Sequence, residues 1–319
     1  MRYRKYVAVG VAFVVSMLLI LTVSWIEPVL ADVTWTKYSG ELSMGGERYV
    51  LDASVVNDGG TYKMWYTHGK IGAGLLSLVS DITTAVPGSL IGNIADLDMV
   101  SFLGNLDTMD EAAVMGLLDD ASTVIGYATS TDGTTWTVVN TQVLAGSGGL
   151  LNSVGAPSVI RVSGTDYRMW YTRFKTNLTQ ASLETALTRM GTADQRSTGA
   201  WVLQNSTSLV IGYATSTDGV GWTLQNSEVL VGSGGLWHSV RAPSVVRVSD
   251  TDYRMWYTQG KTDVTRASLA AMDEATLASA ELWDILDSSS SVIGYATSTD
   301  GIIWTVEDSE VLAGSGVLM

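Results

Sequence analysis

The ten residues Val-Ile-Gly-Tyr-Ala-Thr-Ser-Thr-Asp-Gly stand verbatim at Val124–Gly133, at Val210–Gly219 and again at Val292–Gly301. A decapeptide does not recur three times in 319 residues by chance, and internal repetition constrains architecture before any local propensity does. A second module, Ala-Pro-Ser-Val followed by Thr-Asp-Tyr-Arg-Met-Trp-Tyr-Thr, runs from Ala156 to Thr172 and from Ala242 to Thr258; a shorter relative occupies Ala53 to Thr67. The two modules alternate, with 86 residues from Tyr127 to Tyr213 and 82 from Tyr213 to Tyr295. One repeat unit is therefore one pair of modules.

Each module reads as a β-hairpin. The β-branched run Val159–Val162 meets Tyr167–Tyr171 across a turn in which Gly164 is expected to supply the permissive backbone. In the decapeptide module Asp132-Gly133 is the pair preferred in a type I′ connection. Two hairpins give four antiparallel strands per unit. Tyr167, Met169 and Tyr171 fall on one face of the second strand and Arg168 and Trp170 on the other, so both faces carry bulky groups and both need cover. A four-stranded sheet covered on each side by copies of itself is a blade, and the expected fold class is an all-β β-propeller. The three blades are expected at about 53–139, 157–225 and 243–308, with their first strands beginning near Ala53, Pro157 and Pro243.

Composition agrees with a large packed domain: 46% hydrophobic residues, 16% charged, 33 glycines and no cysteine. The missing cysteines exclude disulfide staples, thiolate metal sites and a cysteine nucleophile. His68 and His238 are the only histidines, which excludes a multi-histidine metal cluster; no metal and no cofactor is expected. The net charge of −14 repels phosphate backbones, so no nucleic-acid partner is expected. Arg2, Arg4 and Lys5 precede an apolar stretch from Val7 to Ile26, and Val29-Leu30-Ala31 ends it with small residues. Residues 1–31 read as a signal peptide cleaved before Asp32, with an uncleaved membrane anchor as the rival. Either way the remaining chain is expected to be secreted or at the cell surface.

The Pro-Ser-Val and Tyr-Arg-Met-Trp-Tyr-Thr motifs, followed by Ile-Gly-Tyr-Ala-Thr-Ser-Thr-Asp-Gly and a Trp-Thr pair, resemble the blades of five-bladed propellers of the furanosidase type. These are glycoside hydrolase families 43, 32 and 130 and their uncharacterised relatives. The resemblance covers about 32–70 and most of 122–312. It implies a glycosidase-like fold whose inner strands carry the acid and base around a central pocket. In family 43 the base opens the first inner strand in an Asp-Pro-Ser-like segment. Leu51-Asp52-Ala53-Ser54-Val55 matches it with alanine for proline, which makes Asp52 the implied catalytic residue and Glu47 the only other carboxylate near it. The family's further carboxylates would stand beside the prolines of the later blades, where this chain has Ala156-Pro157-Ser158 and Ala242-Pro243-Ser244. Glycoside cleavage needs two carboxylates across the sugar. The expected function is therefore noncatalytic binding of a glycan or a partner, with a glycosidase or glycoside phosphorylase as the alternative. Trp237, His238 and Arg241 precede the third inner strand and supply an aromatic, an imidazole and a guanidinium for stacking on and hydrogen-bonding a carbohydrate.

The thrice-repeated Asp132, Asp218 and Asp300 are expected to shape turns, and Trp65, Trp170 and Trp256, with Trp136, Trp222 and Trp304, to fill the core between blades. Val33-Thr34-Trp35-Thr36 matches the outermost strand of a blade and stands alone at the start. Three blades and a stray strand do not close a ring, so the chain reads as a truncated or nonfunctional piece of a larger propeller, or as one that self-associates. The stretches 68–123, 173–209 and 259–291 interrupt each unit at the same place and carry apolar residues at helical spacing. They are expected to be helical insertions on one face. Partner contact is expected through them or through open blade edges.

Overall fold

The computed structural model describes residues 44, 50–71, 121–147, 149, 152–177, 205–262, 265, 267 and 289–313. The proposed signal peptide, Val33–Thr36, Glu47 and most of the three insertions expected to be helical lie outside the described residues, while the described ends of 68–123, 173–209 and 259–291 are strand. Twelve strands make three sheets. The first contains β1 (Val50–Asp58), β2 (Thr61–Ile71), β3 (Ala121–Ser130) and β4 (Thr137–Leu144); the second, β5 (Val154–Ser163), β6 (Asp166–Thr176), β7 (Thr207–Ser216) and β8 (Trp222–Val231). The third contains β9 (Val240–Ser249), β10 (Asp252–Thr262), β11 (Ser289–Ser298) and β12 (Thr305–Ala313). Each sheet is an antiparallel meander in chain order, the all-β, four-stranded blade that the repeats imply.

The repeated decapeptide owes its glycine to packing across the second and third strands. Gly126 pairs with Tyr66, and Gly212 with Tyr171. A β-carbon at Gly212 would come within 2.7 Å of the Tyr171 ring, so only glycine lets the tyrosine lie across its partner strand. The Asp-Gly turns depart from the two-residue expectation. β3 ends at Ser130 and β4 begins at Thr137, and among the described residues only Asp52, Ala156 and Ala242 combine a side chain with positive φ. A type I′ turn would need positive φ at Asp132 as well. Instead Asp132 accepts the backbone N–H groups of Thr134 and Thr135, each at 2.7 Å, while Gly133 alone takes φ 77°. The longer loop brings Trp136 back against the sheet. Gly164 likewise stays out of the left-handed region; a bulge between Arg161 and Ser163 adjusts the β5–β6 connection instead.

The sheets stack face to face in series, β1 lying against β5 and β5 against β9. The core sits between them, as the alternation along β6 requires. Tyr167, Met169 and Tyr171 join Trp65, Ile125 and Tyr127 between the first two sheets. Trp170, Ile211 and Tyr213 join Tyr253, Met255 and Tyr257 between the second and third.

Several hydrogen bonds are common to both junctions. The Trp65 indole donates to the Gly219 carbonyl at 2.7 Å, as Trp170 does to Gly301 at 2.7 Å. The Thr67 hydroxyl accepts the Ala156 N–H at 2.7 Å, and Thr172 that of Ala242 at 2.8 Å. Ser54 Oγ accepts the Val159 N–H at 2.9 Å, and Ser158 that of Val245 at 2.9 Å. Trp256 departs from the core expectation. Trp65 and Trp170 are fully buried, whereas Trp256 is 37% exposed, because no fourth sheet follows among the described residues.

Candidate functional site

Each inner strand opens with the same irregularity. A bulge lies between Leu51 and Ser54, between Gly155 and Ser158, and opposite Trp256 and Thr258 in β9. Inside each bulge one residue is left-handed: Asp52 at φ 49°, Ala156 at 45° and Ala242 at 48°. The left-handed region is unfavourable for residues with a β-carbon. In the second and third sheets the distortion is held by the preceding sheet, whose threonine takes the alanine N–H. The three positions are structurally equivalent, and only the first carries a carboxylate.

Asp52 Oδ2 accepts the Thr67 hydroxyl at 3.1 Å, so one threonine holds both the Asp52 side chain and the start of the next blade. Burial by surrounding protein raises the Asp52 carboxyl above its ordinary value, opposed by the Thr67 bond and by the charge of Arg241. The residue is nonetheless exposed to solvent. Arg241, one position before the left-handed Ala242, donates from Nη2 to Ser291 Oγ at 3.0 Å. Desolvation pulls its guanidinium down and the Asp52 charge pushes it back up. The first and third blades thus carry a carboxylate and a guanidinium at equivalent strand openings. At Arg241's position the other inner strands have Leu51 and Gly155, and at Asp52's position they have Ala156 and Ala242.

Trp237 and His238 lie in the turn entering β9 and are half-buried. A β-carbon at Gly260 would overlap the Trp237 carbonyl, so this turn packs tightly on β10. Ser158 and Ser244, which the family resemblance makes the sites of absent carboxylates, are placed differently from one another. Ser158 is buried and bonds the third blade, while Ser244 is exposed. Thr67 was not singled out by its chemistry in the sequence, although its recurrence as Thr172 and Thr258 at the end of the Trp-Tyr-Thr motif is the signal that marks it. Among the described residues no group of three potential metal ligands occurs.

No family model matches the chain, and no curated protein matches it. Solved structures do. A glycosyl hydrolase from Bacteroides ovatus is 13% identical at a TM-score of 0.39, matching 83% of this chain and 51% of its own. A GH32 β-fructofuranosidase from Bombyx mori is 11% identical at a TM-score of 0.43, over 84% of this chain and 35% of its own. A protein of unknown function from Dyadobacter fermentans is 11% identical at a TM-score of 0.43, over 83% of this chain and 56% of its own. The chain spans about half the length or less of the first two of these structures. The neighbours include glycosidase-fold proteins; by its own strand order this chain is an all-β, propeller-type stack of four-stranded blades. At such identities and scores they assign it neither a substrate nor a reaction.

Proposed function

We propose that this chain is an exported propeller-type protein that binds carbohydrate at the open ends of its inner strands without cleaving it. The observation that carries the reading is the unequal occupancy of three equivalent left-handed positions: Asp52 in the first, alanine in the other two. An acid and a base or nucleophile must face each other across a glycosidic bond, about 5–9.5 Å apart depending on mechanism. Alanine can serve as neither. Asp52 and Arg241 suit recognition instead, since a carboxylate accepts and a guanidinium donates hydrogen bonds to sugar hydroxyls. Trp237 and His238 add an aromatic and an imidazole at the same strand end. The export half of the proposal rests on the basic, apolar and small-residue order of 1–31.

A second reading, hydrolysis with Asp52 as base or nucleophile and Glu47 as its partner, is favoured by the perturbed Asp52 carboxyl at a strand opening, since shifted carboxyls are common at catalytic sites. One experiment separates the two. The purified protein and Asp52→Asn are titrated with arabinan, xylan, fructan and mannan oligosaccharides by calorimetry and incubated with the matching aryl glycosides. Saturable binding weakened by the substitution, with no turnover, supports recognition. Turnover abolished by it supports catalysis, and neither binding nor turnover removes the carbohydrate reading.

A further inference from the structure

Among the described residues the arginines are matched to carboxylates, with a single exception. Arg161 meets Asp58, Arg168 meets Asp166, Arg173 meets Glu228, Arg247 meets Asp250 and Arg254 meets Asp252. Arg241 forms no such ion pair, and its side chain bonds only the Ser291 hydroxyl. A guanidinium carries five N–H donors, so most of this fork is unused. None of its nitrogens is both buried and unpartnered, so the unused donors open to solvent. Nor does the blade require a cation there, since the other inner strands have Leu51 and Gly155 at that position.

The repeats supply a second, independent departure at the same end of the sheets. Lys70, Lys175 and Lys261 are equivalent, pairing with Ser122, Ser208 and Ser290 across the second and third strands. Lys175 and Lys261 reach Glu228 and Glu310 on the fourth strands of their blades. In the first blade the equivalent residue is Gln142, whose side-chain oxygen accepts from Lys70 without neutralising it. Val50 pairs with His68, so Lys70 lies just past the opening of β1. At the strand openings, then, the third blade gains a cation and the first loses an anion, in a chain whose net charge is −14. Against these two changes stands one acid, Asp52, which is held by Thr67 and stops short of an ion pair with Arg241.

We infer that the carbohydrate bound at the strand openings is acidic, with a uronate carboxylate seated on Arg241. This rests on the carbohydrate-binding reading and narrows it to one class of ligand. A carboxylate offers two coplanar oxygens to two parallel N–H groups of a guanidinium, a match that an ammonium cannot make. A monoanion also suits the place better than the dianion of a phosphate ester. The Asp52 charge reaches Arg241, and it repels a doubly charged ligand there about twice as strongly as a singly charged one. Asp52 itself accepts from the ring hydroxyls of the same ligand.

The test titrates the full chain, in nonionic detergent, with short oligomers of galacturonate, glucuronate and mannuronate. Each is compared by calorimetry with its methyl ester, which keeps every hydroxyl and removes only the charge. Short oligomers serve because the net charge of −14 opposes long polyanions. At least one acid is expected to bind about tenfold more tightly than its ester. Arg241→Gln should erase that preference and Arg241→Lys should keep only part of it, with ester affinity and circular dichroism unchanged. Equal affinity for acid and ester overturns the inference, as does a preference that survives Arg241→Gln. The comparison on the wild type needs no variant, so a variant that misfolds does not shelter the inference. Binding of sulfated or phosphorylated sugars but of no uronate also overturns it. Binding of neutral oligosaccharides but of no acid overturns it too, and leaves the carbohydrate reading standing. Failure of every sugar, acidic or neutral, removes that reading and this inference with it.

Discussion

Trp170 and Trp256 hold the same place in successive blades, and truncating each to alanine measures what one junction contributes to stability. Trp170 is fully buried, touches Tyr213, Tyr253 and Trp304 at centroid distances of 5.3, 6.2 and 6.1 Å, and donates to Gly301 at 2.7 Å. Removing a buried tryptophan costs about 3–5 kcal/mol. Trp256 has 37% of its surface in water, which for a side chain of about 250 Å² is about 90 Å² not buried on folding. At about 25 cal/mol/Å² that is about 2 kcal/mol less, and the missing indole bond removes about 1 kcal/mol more. Trp170→Ala is therefore expected to destabilise by about 4–5 kcal/mol and Trp256→Ala by about 1–2 kcal/mol. Urea unfolding followed by circular dichroism reads both. Trp170→Phe should lie between, keeping much of the ring contact and losing the bond. Equal costs for the two alanine variants would refute the view that the inter-blade seat, rather than the blade itself, stabilises this tryptophan.

Gly212→Ala is expected to destabilise by about 1–3 kcal/mol through its collision with Tyr171, measured by the same urea midpoints. Gly219→Ala should cost more than Gly133→Ala, because both carry the strain of a left-handed backbone but, among the described residues, only Gly219 would also displace a tryptophan, Trp65; equal midpoints would show that the Trp65 contact costs nothing to disturb. Asp52→Asn keeps an acceptor for Thr67 and removes a charge whose carboxyl is raised on folding. A raised folded value means that the folded state holds the proton longer, so the wild type loses stability as pH rises through that value. The variant should therefore be the more stable at neutral pH, with the gain vanishing below the ordinary carboxylate range. Asp132, Asp218 and Asp300 are lowered chiefly by backbone hydrogen bonds. Their contribution is present above the unfolded carboxylate value and is lost as pH falls through the lower folded ones, which acid unfolding of the corresponding asparagine variants should reveal.

The strand order and the faces of β6 could be read from the repeats because a period of two and a verbatim decapeptide are local facts. The turn geometry could not. Asp-Gly suits a two-residue reversal, and only the structure shows the Asp132 carboxylate capping two amides and lengthening the loop. Ser158 misleads in the sequence for a related reason. It stands where the family resemblance places a carboxylate, yet its partner is the Val245 amide 87 residues away. The relation between Asp52 and Arg241 was hidden for the same cause. Each residue is conspicuous by itself beside a strand opening, but 189 positions of chain separate them, and only the stacking of three sheets brings their charges into range.

The placement of that pair on the two outer blades makes the site a caliper. The first and third blades each rest on the middle one, so a small rocking at either junction is summed at the jaws, where Asp52 and Arg241 stand. The gap they span is set by the pitch of the stack rather than by any single loop. A residue deep in a junction, such as Trp65 or Trp170, therefore governs the separation of Asp52 and Arg241 without touching either of them.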